Sequence, residues 1–181
     1  MKKYLTCAET AKLIRAALKE SFPGVKFSVK SNTYAGGASI NVAYTDGPTC
    51  EQVKAVVNVF ERSYFCGMTD YKGLNYASLD GEEISFGADF IFVNRKFSVE
   101  LFTDLVASAC KYYGYAMPTI ADSEYTGAYI NANLDYEINR RIMNKVYEYS
   151  ADDAAESATL NRVAFLGDDG YGYGRTGRIA A

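Results

Sequence analysis

The sequence predicts an α+β fold: an antiparallel sheet of about four strands with helices packed on one face, in the order α-β-β-α-β-β-α, followed by a C-terminal helical extension. Three observations carry this prediction. Two capping boxes, Thr6 with Glu9 and Thr49 with Gln52, each open a run of apolar residues at helical spacing. Between and after them lie stretches in which apolar and polar residues alternate with period two. Further on, Leu134, Ile138, Ile142, Val146 and Tyr149 form an apolar stripe on what reads as an otherwise charged helix.

Taken in order, residues 6–21 form the first helix, with Cys7, Ala11, Ile14 and Leu18 on one face, and Pro23-Gly24 ends it. Val25, Phe27 and Val29 alternate with lysine and serine, and Ile40, Val42 and Tyr44 alternate with Asn41 and Ala43. These are two half-buried strands joined as a hairpin by the loop 31–37. Asp46-Gly47-Pro48 is a turn, and the second helix buries Val53, Val56, Val57 and Phe60. Residues 66–81 are rich in glycine, asparagine and aspartate and read as an irregular connection with room for one short strand. Residues 84–86 and 89–95 read as a second hairpin closing around Gly87. Ser98 caps a third helix to about Tyr113 that buries Leu101, Leu105, Ala109 and Tyr112. After the stripe helix, Ser150 and Asp153 start a short helix through Phe165. The expected organisation is an α+β domain over 1–115, a helical extension over 116–166 and a flexible Gly/Tyr tail over 167–181.

Composition narrows the function classes. With 181 residues, a real core needs no disulfide staples, and the four cysteines, Cys7, Cys50, Cys66 and Cys110, lack CxxC spacing. They read as small buried hydrophobes of a reducing compartment. No apolar run resembles a signal peptide or a membrane span, so a cytoplasmic location is expected. A net charge of −3 argues against affinity built on many phosphate contacts, and is too mild for a mimic of DNA. The absence of histidine removes the commonest neutral-pH base and metal ligand. No catalytic residue, no cofactor and no metal are expected.

Four pieces in order, Phe22-Pro23-Gly24-Val25-Lys26-Phe27-Ser28-Val29-Lys30-Ser31, Tyr34-Ala35-Gly36-Gly37 with Ser39-Ile40, Thr45-Asp46-Gly47-Pro48, and Gly67-Met68-Thr69-Asp70, resemble one family. It is the twenty-ninth of the large-polyvalent-protein-associated domains, and the likeness covers about residues 1–90. The resemblance implies a phage or plasmid context and a role in helping incoming DNA survive in its host. It hands over no reaction.

Candidate contact residues follow from chemistry. Tyr34, Gly36 and Gly37 could place backbone N–H groups around an anion, although a hairpin turn explains the same residues more simply. Asp46 and Asp70 are the acids inside the family-like pieces and the only weak metal candidates; Asp46 is also an ordinary turn residue. Tyr113, Tyr115, Tyr125 and Tyr129 lie in a tyrosine-dense stretch that also holds Tyr112 and Tyr136, suited either to contact or to core filling. Arg140, Arg141 and Lys145 share a helix face that could meet phosphates or an acidic partner, or simply water. The expected function is non-catalytic counter-defence of the anti-CRISPR or anti-restriction type, by contact with a host defence protein or ribonucleoprotein complex. The alternatives are a nucleic-acid-binding accessory domain and a divalent-metal enzyme.

Overall fold

The computed structural model describes residues 3–175 and shows an α+β fold. The chain runs β1 (Lys3–Tyr4), α1 (Cys7–Ser21), β2 (Ser28–Tyr34), β3 (Gly37–Thr45), α2 (Cys50–Val57) with a 3₁₀ turn (Asn58–Phe60), β4 (Ser63–Cys66), β5 (Tyr71–Leu79), β6 (Glu82–Ser85), β7 (Phe90–Lys96), α3 (Val99–Tyr113), β8 (Ile120–Ala121), β9 (Tyr129–Ile130), α4 (Tyr136–Tyr147), α5 (Ala158–Asn161) and β10 (Val163–Asp168).

Both capping boxes form. The Thr6 hydroxyl accepts the Glu9 N–H while the Glu9 carboxylate accepts that of Thr6, and Thr49 and Gln52 repeat the exchange at α2. Each such cap contributes about 1 kcal/mol. Ser98 caps α3, and Gly114 ends it in the left-handed region.

The strands build two main sheets where one was expected. One is three-stranded, β2-β3-β7, with β2–β3 antiparallel and β3–β7 parallel. The other holds β1-β6-β5-β10 with β4 on β5, all antiparallel except β1–β6. A small ladder joins β8 and β9. The expected second hairpin is therefore absent: β6 pairs with β5, whereas β7 crosses to β3. Asp89, between them, is turned inward and held by Arg62 and Lys72. The connection 66–81 is mostly the nine-residue strand β5. Residues 163–165, expected as the end of a helix, and the first residues of the expected tail form β10 against β5.

Helices α1 and α2 cover the inner face of the three-stranded sheet, as expected. Ile14, Leu18, Ile40, Val42, Val53, Val57, Phe60 and Phe86 meet there in one core. Burying a side chain of this size stabilises by roughly 1.5–3 kcal/mol. Leu160 and Val163 return from the C-terminal segment to pack on it. A second core joins α3 to α4 through Phe97, Phe102, Val106, Ala109, Ile142 and Val146. Helix α3 is thus rotated from its expected face: Phe102 and Val106 are buried, Leu101 and Leu105 flank them, and Tyr112 is 73 % exposed. Arg95 bridges the two cores. Its guanidinium donates to the carbonyl oxygens of Asp46 (3.0 Å), Gly47 (2.8 Å) and Tyr149 (2.8 Å) and lies over the Phe97 ring.

The tail expected to be mobile is docked as far as it is described. Asp169 accepts hydrogen bonds from the hydroxyls of Tyr64 (2.5 Å) and Tyr71 (3.1 Å) and from the Leu74 N–H (2.8 Å). The Gly172 N–H donates to the Tyr64 hydroxyl, and Arg175 stacks on the Tyr64 ring. Residues 176–181 lie outside the described part. Among the described residues no helix is long and apolar enough to cross a membrane.

Candidate binding face

Helices cover one side of the three-stranded sheet, and its other side is open. Period-two alternation sends Ser28, Lys30 and Asn32 of β2, Asn41 and Ala43 of β3, and Phe92, Asn94 and Lys96 of β7 outward. The register sets these residues abreast. Lys30 lies opposite Asn41 and Asn41 opposite Phe92; one row along, Ser28 lies opposite Ala43 and Ala43 opposite Asn94. Phe92 keeps 51 % of its surface exposed. A groove of about 850 Å³ runs over this face.

One wall of the groove is the loop 122–127. The Lys96 ammonium donates to the Glu124 carbonyl, and the Ala128 N–H donates to the Phe97 carbonyl. Gly127 lets the loop approach: its φ is +72°, and a Cβ there would lie 2.8 Å from the Phe97 oxygen. This docking carries Tyr125 to the groove edge, 85 % exposed. A second hollow of about 660 Å³ continues past Ser28 and Ala43 to Lys26, Asp46 and Asp152.

The sequence-derived candidates fall in separate places. The segment Tyr34-Ala35-Gly36-Gly37 is the two-residue hairpin turn between β2 and β3, with Gly36 at φ +87°, and most of the expected loop 31–37 is strand. Gly37 has no room for a side chain, because a Cβ would stand 2.7 Å from Asp89 Oδ2 and 2.9 Å from the Tyr34 ring. Tyr113 stacks on Tyr115 at the end of α3, and Tyr115 leans on the second core. Tyr129 lines a small hollow with Arg95 and Phe97. Arg140 pairs with Glu137 at 2.6 Å and Lys145 with Glu148 at 3.5 Å, so that face of α4 partly neutralises itself; Arg141 is exposed beside them.

Asp46 and Asp70 lie on different sheets, both at positive φ. Asp46 Oδ1 accepts the Ser98 N–H at 2.9 Å, which ties the end of β3 to the start of α3. Among the described residues no group of three potential ligands is placed to hold a metal ion. The acid that sequence reasoning missed is Asp89, which is buried beside the hairpin turn. Its Oδ1 accepts from Arg62 Nε (3.0 Å) and the Ser63 hydroxyl, with Arg62 Nη2 also 2.7 Å away, and its Oδ2 accepts from Lys72 (2.9 Å) and the Ala38 N–H. Burial pushes this carboxyl up, but the Lys72 bond, the Arg62 charge and the Ala38 N–H outweigh it and hold it below the usual range.

The cysteines also divide. Cys7 and Cys110 are buried, and burial pushes both thiols up. Cys50 and Cys66 are half-buried, contrary to the expectation of inert hydrophobes. The Thr69 hydroxyl and the Tyr173 N–H (3.1 Å) converge on Cys66 Sγ and bring its pKa down to about 7.

Fold and face together define an α+β protein with one helix-covered sheet face and one open, polar, aromatic-edged face, an arrangement suited to holding a partner. The chain belongs to the large polyvalent protein associated domain 29 family, whose model matches residues 5–98. The matched stretch ends at the cap of α3 and contains β2, β3 and β7, and with them the whole open sheet face, but not the loop that carries Tyr125. No curated protein and no solved structure matches this chain.

Proposed function

We propose that this protein is a non-catalytic counter-defence factor of a phage or other mobile element, acting in the host cytoplasm by binding a host defence protein or ribonucleoprotein complex of the CRISPR or restriction kind. The observation that carries the reading is the open face of β2-β3-β7, where Lys30, Asn41 and the exposed Phe92 lie abreast and Lys30 and Asn41 line a groove edged by Tyr125. Amides and exposed aromatic rings gathered on one open face are suited to holding a partner by contact.

The acids support the same reading, because several are committed to holding the fold together. Asp46 holds the start of α3, Asp89 neutralises Arg62 and Lys72, and Asp169 anchors the C-terminal segment. Membership of a polyvalent-protein family supports the mobile-element context. The experiment is to express the protein in cells armed with one defined CRISPR or restriction system, and to mix purified protein with the purified defence component. Restored plating of a targeted phage together with a co-eluting complex is expected. Unchanged plating across such systems, with no complex formed, would reject the proposal.

A further inference from the structure

We infer that the open groove on β2-β3-β7 takes a stretch of single-stranded nucleic acid. This rests on the binding role proposed above and names what the face touches: an exposed strand, such as one displayed by a ribonucleoprotein complex.

Charge is the first argument. The residues lining the 850 Å³ groove include Lys30, Arg95 and Lys96 and no carboxylate, although the chain as a whole is acidic. The neighbouring hollow holds Asp46, already bound to the Ser98 N–H, and Asp152, and the exposed Asp122 and Glu124 of the loop wall lie outside the groove's own lining. Lys30 makes no ion pair among the described residues, so its charge is free for a phosphate.

The neutral groups decide between anions. Asn32, Asn41 and Asn94 each offer a donor and an acceptor, as base edges require, while Tyr125 at the groove edge and Phe92, exposed beside Asn41 on the same sheet face, present ring surface for stacking. A row of cation, amide and ring, with the next row about 7 Å along the strands, offers phosphate, edge and stacking contacts to successive nucleotides. An acidic peptide would use the lysines and leave the rings idle. A duplex hides its base faces and calls for a wider basic surface than Lys30 and Lys96 provide.

The test is fluorescence anisotropy of the whole protein with labelled oligothymidine and oligouridine over a salt series, with polyglutamate as competitor. Saturable binding is expected, falling with salt at a log–log slope of about −1.4, from two lysines at about 0.7 each. Lys30→Glu should weaken binding at least tenfold and Phe92→Ala severalfold. Arg141→Glu on α4 should leave it unchanged. Lys30 and Phe92 are both exposed, and circular dichroism checks that the variants fold. The two oligomers decide whether DNA, RNA or either is taken.

Absent binding, indifference to Lys30→Glu, or full displacement by polyglutamate at equal charge would overturn the inference. A nuclease-treated complex assay separates the two proposals. A purified defence component that still binds while oligomers do not refutes the groove's ligand and leaves counter-defence standing. Oligomer binding without any defence complex or phage protection does the reverse.

Discussion

Replacing Asp89 by asparagine preserves shape and removes one charge from the point where the hairpin turn, β4 and β5 converge. The wild-type carboxylate is 1 % exposed and takes four hydrogen bonds, one each from Arg62 Nε, Lys72, Ser63 and Ala38, with Arg62 Nη2 a further 2.7 Å ion-pair contact. Breaking a fully buried ion pair costs about 3–5 kcal/mol. Here Arg62 and Lys72 keep 31 % and 40 % of their side-chain surface in water, so the stranded cations are partly rehydrated and the expected loss falls to about 2–3 kcal/mol. For a chain of this length that is a drop in Tm of roughly 4–12 °C. The sign with pH follows from the carboxyl lying below its ordinary value when folded. Its contribution is complete above the unfolded aspartate value of about 4 and is lost as pH falls through the lower folded one. Thermal unfolding followed by circular dichroism from pH 8 to pH 3 should therefore show a constant gap between wild type and variant down to about pH 5, narrowing below about pH 4. A gap under about 0.5 kcal/mol, or one that ignores pH, would refute this account of Asp89.

Other expectations follow from the same contacts. Cys66 should alkylate with iodoacetamide on a pH profile centred near 7, while Cys7 and Cys110 stay unmodified in the folded protein, as read by peptide mass. Tyr64→Phe removes the hydroxyl shared by Asp169 and Gly172, so limited proteolysis within 167–175 should speed up without a change in far-ultraviolet dichroism. Arg95→Lys cannot reach all three carbonyl oxygens and should lower stability in urea by about 1–3 kcal/mol. Gly127→Ala should detach the Tyr125 loop, detectable as faster amide exchange at 122–128, because its Cβ has no space against Phe97.

The helices were legible because their signals are local. A capping threonine three residues before Glu9 or Gln52 needs no knowledge of the rest of the chain. Strand pairing was not. Strand β5 contains Gly73 and Asn75, which read as turn residues. The structure shows Gly73 lying directly under the Tyr64 ring of β4, where any side chain would collide, and Asn75 tied to the carbonyls of Glu61 and Ser63. Residues 163–168 suit either helix or strand by pattern, and the free edge of β5 decides for strand. The parallel β3–β7 pairing joins residues some fifty positions apart, a distance no short window reports.

The binding face shows the same limit. Lys30 and Asn41 were visible as the polar positions of alternating strands, whereas Phe92 sits in the apolar run 90–93, and only the register makes the three neighbours. The contact tyrosines singled out by density scatter to the end of α3 (Tyr113 and Tyr115), the groove edge (Tyr125) and a separate small hollow (Tyr129). Tyr125 alone among them lines the open groove.

Binding on the open side of β2-β3-β7 is the claim on which the proposed role depends. Acetylation footprinting of the protein, alone and in complex with its purified partner, asks this directly. Lys30 and Lys96 should lose reactivity in the complex while Lys145 on α4 keeps its own; protection at Lys145 with Lys30 left reactive would place the contact elsewhere and contradict the account.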